Sequence, residues 1–273
     1  MVILNFKKSS IGNLVYYKIP SFEETGLVKH GFSTRLGGVS SAPLYSLNLG
    51  TKKNDKKENI FKNYTLLSQA LEIPIEHMVF SDQVHGDKVL KVDKSHRANN
   101  LFSNNKIVGV DGLITEEKEV ALVTFYADCV PLFFIDPVQK AIGLSHAGWK
   151  GTISKIGQKT LYQMIKYFST KPEDCLVAIG PSIGSCCFEV GGEVIEQINL
   201  NFVNPKQYYT LKDNGKYMVD LWKLNQDQLI EMGVQLKNIT ISDICTKCNK
   251  EIFFSHRGDN GNTGSLAALL QLI

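Results

Sequence analysis

The chain has 273 residues, of which 43% are hydrophobic and 21% charged, with a net charge of +3. This is the composition of an ordinary globular protein with room for a substantial core. It excludes the clustered basicity of a nucleic-acid binder, and no apolar run reaches the length of a membrane-spanning helix. Six cysteines include the adjacent pair Cys186-Cys187, which suits no simple disulfide framework. A reducing, cytoplasmic location is expected, and the first eight residues lack the apolar stretch and cleavage site of a signal peptide.

Taken in order, residues 2–7 and 13–19 predict two strands of a hairpin around residues 9–13. Residues 29–40 are glycine-rich and polar and read as a connecting or binding loop; the segment Ser46-Leu47-Asn48-Leu49-Gly50 follows. The lysine pairs at 52–53 and 56–57 alternate with Asn, Asp and Glu, a solvated loop and helix start. Ile60, Phe61, Tyr64, Leu67 and Leu71 recur at three- and four-residue steps and predict a helix over 58–71, stopped before Pro74. Strands are expected at 78–80 and 89–92 on either side of a turn holding His85. An exposed excursion follows over 93–106, then strands at 110–115, 119–125 and 141–144.

Ile153, Ile156, Leu161, Met164, Ile165 and Phe168 form one apolar stripe, a second helix ended at Lys171-Pro172. A strand at 176–179 runs into a turn over 180–184, and Gly191-Gly192 opens a helix carrying Val194, Ile195 and Ile198. Asp220 is the expected N-cap of a helix through Trp222, Leu224, Leu229 and Met232, ended at Gly233. A strand at 239–241 and a small final helix at 266–270 complete the reading. Strands arrive in groups between helices without strict alternation, which predicts one α+β domain over 1–273 with mixed sheets.

Three residues stand out chemically. His85 sits in Gln83-Val84-His85-Gly86; Cys129 follows the apolar run 120–125; His146 follows the run 141–144, seventeen residues after Cys129. Small or turn-permitting neighbours (Gly86, Pro131, Ala147-Gly148) leave room above each side chain. One thiolate and two neutral imidazoles on Zn²⁺ leave a formal charge of about +1 and an open fourth position, the arrangement of a catalytic zinc. Asp128 is placed to orient a ligand or accept a proton. Arg35, among glycines, has the guanidinium fork that suits an anion, with a surface salt bridge as the plain alternative. Cys245-x-x-Cys248 is half of a zinc-ribbon signature without a second half, which assigns it a structural or incidental role. The phosphate-loop, dinucleotide and nucleophile-elbow motifs are missing.

Seven segments occur in order: the run from His30 to Ser40, Ser46 to Gly50, Gln83 to Gly86, Ala127 to Pro131, His146 to Gly151, Ile179 to Gly184, and Phe253-Phe254-Ser255-His256-Arg257. Together they resemble the YfiH/YlmD-like family, also described as polyphenol oxidase or "laccase domain" proteins and understood as purine nucleoside phosphorylases that also deaminate adenosine. The resemblance implies an α+β sandwich of mixed sheets flanked by helices, with His85, Cys129 and His146 as metal ligands. It implies purine nucleoside and phosphate as partners, with Asp128, Cys129 and His146 catalytic and Arg35, Asn48, Lys150 and Arg257 as substrate contacts. Lys150 stands where Arg is usual, His256 where Tyr is common, and Gly258 and Ser265 where Arg is common, so this chain departs from the family's pattern at its anion contacts and leaves its three clustered residues unchanged.

Two other readings compete. A copper-dependent phenol oxidase needs more ligands than this chain's six histidines, four of them scattered, readily assemble. A non-enzymatic module holding structural zinc needs a fourth protein ligand, for which Cys187 or His256 is the candidate.

Overall fold

The computed structural model describes residues 5–98, 101–102 and 107–273. The expected strand residues 2–4 and part of the 93–106 excursion lie outside the described residues. In chain order the strands are β1 (Lys7–Ile11), β2 (Leu14–Lys18), β3 (Val28–Ser33), β4 (Met78–Asp82), β5 (Val89–Lys91), β6 (Ile107–Val108), β7 (Gly112–Thr115) and β8 (Ala121–Tyr126). They continue with β9 (Val130–Asp136), β10 (Ala141–Ala147), β11 (Leu176–Ile179), β12 (Glu189–Val190), β13 (Tyr209–Leu211), β14 (Tyr217–Val219), β15 (Ile239–Ile241) and β16 (Leu266–Leu272). The helices are α1 (Pro20–Glu23), α2 (Lys57–Leu71), α3 (Trp149–Ile153), α4 (Ile156–Phe168), α5 (Gly192–Asn201) and α6 (Leu221–Glu231).

Two large mixed sheets carry the fold. Among the described residues, one runs β1-β2-β3-β16-β8-β4-β6 and the other β15-β11-β9-β10-β7-β5, with a small sheet β12-β14-β13 beside them. Alternation along each strand decides which layer a side chain enters. From β9, Leu132 and Phe134 point to one core and Phe133 and Ile135 to another; from β16, Leu266, Ala268 and Leu270 join the second core and Ala267 and Leu269 a third. The second core is therefore the layer between the sheets. The first lies under α4, α5 and α6, and the third under α2, whose Ile60, Tyr64 and Leu67 fill it. The result is the expected α+β sandwich, helices outside two face-packed sheets.

Four local expectations need correction. Residues 266–270 are strand β16, not a helix, and pair with both β3 and β8. Its run of Leu and Ala favours helix locally, but it is buried on both faces, so it shows no alternation and tertiary pairing wins. Strand β3 takes residues 28–33 and so includes the first five residues of the loop expected over 29–40, which begins only at Thr34. The strand β9 was not expected at all, since Pro131 argues against a central strand. The stripe from Ile153 to Phe168 is broken into α3 and α4 at Lys155, which has φ +61°. Elsewhere the expected N-cap forms, with the Asp220 carboxylate accepting from the Lys223 backbone N–H at 2.9 Å.

The connections between the two large sheets matter most. The chain crosses between them from β4 to β5, from β6 to β7 and from β8 to β9. His85 lies on the first crossing, Asp111 on the second, and Asp128 and Cys129 on the third.

Candidate metal centre and cavity

The three crossings bring His85 and Cys129 to the end of β10, where His146 projects. One ligand atom from each of the three lies within 4.8 Å of the other two, and among the described residues no fourth His, Cys, Asp or Glu joins them. The two imidazole rings meet edge-on with centroids 4.9 Å apart. His85 and Asp128 both take positive φ, +60° and +85°, a conformation uncommon for non-glycine residues. Gly148 leaves the site open: a Cβ there would lie 3.0 Å from His85 Cδ2 and 3.3 Å from Cys129 Sγ.

Asp111 organises this cluster. Its carboxylate, fully buried, accepts hydrogen bonds from the backbone N–H groups of Val84, His85 and Gly86 at 2.9–3.1 Å. His146 Nδ1 lies 2.8 Å from Asp111 Oδ1, and its backbone N–H donates to the Asp111 carbonyl at 2.7 Å. An ionised carboxylate only accepts, so Nδ1 carries the proton and Nε2 is left for an ion. Burial works to raise the Asp111 carboxyl, but the bond from His146 and the backbone donors outweigh it and hold it low. Burial likewise opposes ionisation of Cys129, yet the adjacent His146 charge and hydrogen bonds from both imidazoles hold the thiol low. Burial would depress His146, and Cys129 and Asp111 together hold it up instead. A thiol poised as thiolate and an imidazole oriented by a carboxylate are the donor chemistry a borderline-soft cation takes, so the residues fit zinc.

The cluster opens into a cavity of about 650 Å³, within the range of small-molecule sites. Phe125, Tyr126, Trp149, Ile183 and Phe188 give it apolar surface, and Lys52, Lys53, His256 and Arg257 give it basic groups. Lys52 is paired with Asp82, also in the wall. Gln83 binds the backbone of Phe125 through both ends of its amide, at 2.7 and 2.9 Å.

The structure brings Asp128 and Arg257 to this cavity together with the three clustered residues. Asp128 is engaged on both oxygens: Thr246 Oγ1 donates to Oδ1 at 2.6 Å and the Arg257 backbone N–H to Oδ2 at 2.7 Å. Arg257 also donates from its guanidinium to the Glu189 carbonyl at 2.8 Å. Arg35, Asn48 and Lys150 are not among the lining residues. Arg35 donates to the carbonyls of Tyr45 and Lys250 at 2.9 and 2.8 Å and stacks 4.7 Å over the Phe254 ring. Asn48 is buried and accepts at Oδ1 from the backbone N–H groups of Gly50 and Ser265, two wall residues. Lys150 is exposed beside the Trp149 ring. Of the proposed fourth ligands, Cys187 lies elsewhere, 3.4 Å from Cys248, while His256 stands in the cavity wall without joining the cluster.

Asp111 was missed from sequence. The available signal was one acid inside the apolar run 107–115, since a buried carboxylate must find donors. The wall residues Gln83 and Trp149 lie within the segments that hold His85 and His146, but nothing in the sequence assigns them to a cavity wall, and Phe188 had no signal at all.

Residues 29–273 match the family described as multi-copper polyphenol oxidoreductase laccase. The chain is 35% identical over 241 residues to "Purine nucleoside phosphorylase YlmD" of Bacillus subtilis, covering 88% of this chain and 87% of that one. It is 37% identical over 243 residues to the protein of the same name from Geobacillus stearothermophilus, covering 88% of each. The crystal structure of Bacillus licheniformis hypothetical protein YfiH superposes with a TM-score of 0.91 at 33% identity, covering 98% of this chain and 99% of that one. The chain belongs to the YfiH/YlmD family of laccase-domain proteins.

Proposed function

We propose that this protein is a zinc-dependent purine nucleoside phosphorylase with an adenosine deaminase side activity. The observation that carries the reading is the three-ligand His85-Cys129-His146 cluster, short of a fourth protein ligand among the described residues, in the wall of a cavity with aromatic and basic groups. The names of its relatives point to the same substrates. In phosphorolysis the C1′–N9 bond breaks, its electron pair leaves with the purine, which takes up a proton, and a phosphate oxygen bonds to C1′. In deamination water replaces the amino group at C6 and ammonia leaves.

His85, Cys129 and His146 would hold the zinc, which supplies Lewis-acid polarisation of an oxygen when bound. The remaining roles fall to the chain. Phe125, Trp149 and Phe188 offer flat apolar surface to the purine. Arg257, with guanidinium N–H groups beyond the one given to Glu189, is assigned the phosphate. Arg35 and Asn48 act through the loops they tie down, and Lys150 as an exposed charge beside the wall residue Trp149. Asp128 is assigned proton handling: each oxygen holds one protein donor and retains a lone pair. C1′ and C6 lie several ångströms apart (~5 Å), so the nucleoside binds in two orientations in one cavity, or the metal serves one of the reactions by holding an oxyanion or ribose hydroxyl; in either case adenosine and inosine compete.

A copper phenol oxidase is the weaker reading, because the described histidines and cysteines build no array of copper sites around the cavity. Product analysis of the zinc-loaded protein with adenosine and inosine, with and without phosphate, tests the proposal. Purine release that requires phosphate and yields ribose 1-phosphate in equal amount is the expected result. Phosphate-independent release, or oxidation of a phenol by the copper-loaded protein alone, would overturn it.

A further inference from the structure

The half-signature Cys245-x-x-Cys248 has its complement in the folded chain. Cys186 and Cys187, on the segment after β11, come alongside it, and the four sulfur atoms all lie within 4.8 Å of one another. Cys248 Sγ is 3.6 Å from Cys186 Sγ and 3.4 Å from Cys187 Sγ, and all four are free thiols. A zinc ion with four thiolates at ~2.3 Å sets its sulfurs ~3.8 Å apart along each tetrahedral edge. The spacing is thus that of a mononuclear tetrathiolate site, too close for thiolates bracketing a multi-iron cluster.

The surrounding backbone is built for such an ion. The Gly184 N–H donates to Cys245 Sγ at 3.3 Å, and the Cys248 N–H donates to the same sulfur, which places two dipoles on one thiolate. Gly184 eases this approach, since a Cβ there would crowd Trp222 at 3.0 Å and both Cys186 Sγ and Cys245 Cβ at 3.3 Å. The two segments are already paired, through the Ser182 N–H to the Ile244 carbonyl and the Thr246 N–H to the Ser182 carbonyl.

We propose that Cys186, Cys187, Cys245 and Cys248 bind a second, structural zinc ion that staples the two loops forming one wall of the cavity. One loop carries Ile183 and Phe188, and the other carries Thr246 and leads to His256 and Arg257. Ile183 and Phe188 line the cavity from one side of the staple, and His256, Arg257 and the Thr246 contact to Asp128 stand on the other, so the ion fixes wall geometry and takes no part in the reaction. All four positions are filled by protein, which leaves no place for substrate. The inference is independent of the reading of the cavity.

The test is metal analysis with X-ray absorption at the zinc edge on full-length protein purified anaerobically and given zinc alone. The native chain is expected to hold two zinc ions. A His85→Ala/His146→Ala double variant should keep one, with four sulfur neighbours at ~2.3 Å. A Cys186→Ser/Cys248→Ser double variant should lose that ion and keep the other. If the cysteine variant does not fold, the spectrum of the histidine variant still decides. No zinc retained by the histidine variant, a nitrogen or oxygen shell around it, iron in its place, or a disulfide joining the two cysteine pairs would each overturn the proposal.

Discussion

The two sulfur-bearing clusters of this molecule differ in everything but their thiols. His85, Cys129 and His146 come from sheet crossings and a strand end, have a buried carboxylate behind them, and face a cavity. Cys186, Cys187, Cys245 and Cys248 come from two loops, and Cys186 and Cys248 are exposed at the surface. Three ligands on rigid supports beside a cavity leave a coordination position for chemistry; four on adjoining loops close the shell and join the loops. Ligand number and support, more than the presence of cysteine, separate a reactive site from a staple.

The largest effect that would sharpen this contrast is loss of the single thiolate in the first cluster. Cys129→Ser should remove the zinc there and lower phosphorolysis by ~1000-fold or more, while the zinc assigned to the four cysteines remains. Metal analysis and kinetics on the same sample check both halves, and retention of full activity would break the distinction.

A histidine outside both clusters provides the next largest effect, on stability. His30 is buried, accepts the Ile19 N–H at Nε2 over 2.8 Å and packs edge-on to Phe22. Burial pushes its imidazole down to about 4, the opposite direction from His146 with its carboxylate. The unfolded chain therefore binds more protons than the folded one between pH ~6.5 and 4, so this contribution is fully present above ~6.5 and is lost as pH falls toward 4. It amounts to roughly 3 kcal/mol at most. His30→Gln, which keeps an acceptor, should flatten the stability curve over that window relative to the native chain. Parallel curves from chemical denaturation would contradict the account.

Asp111→Asn comes third. It keeps the shape but weakens the hold on Nδ1 of His146, and zinc affinity at the first cluster should fall by ~10–100-fold, read by chelator competition. An unchanged affinity would show that the sheet crossings alone orient the ring. The smallest effect compares two arginines. Arg257→Ala should raise the Michaelis constant for phosphate by ~10-fold more than that for nucleoside. Arg35→Ala, which loses contacts to two loop carbonyls and Phe254, should shift both constants together. The reverse pattern would return the anion to Arg35.

Much of this architecture was legible because helices α2 and α6, the latter with its Asp220 cap, reveal themselves by period, and the strands before Cys129 and His146 by short apolar runs. What failed did so for physical reasons. Strand β16 is buried on both faces and rich in Leu and Ala, so it carries no strand signature of its own. Asp111 is one acid in an apolar run, and only the folded topology shows the three backbone donors and the imidazole that surround it. The pairing of Cys186-Cys187 with Cys245-x-x-Cys248 spans about sixty residues of intervening helix and strand, and sequence displays only the second half. Arg35 shows the opposite error. Glycine neighbours suggested an open loop, but Tyr45, Lys250 and Asp259 enclose its guanidinium.

The proposal that one three-ligand site performs both reactions is tested most directly with His146→Ala. Zinc content, phosphate-dependent release of hypoxanthine from inosine, and conversion of adenosine to inosine should be measured on one preparation beside the native protein. The account predicts that zinc at this site and both activities disappear together. Either activity at its native rate in a His146→Ala protein lacking that zinc would contradict it.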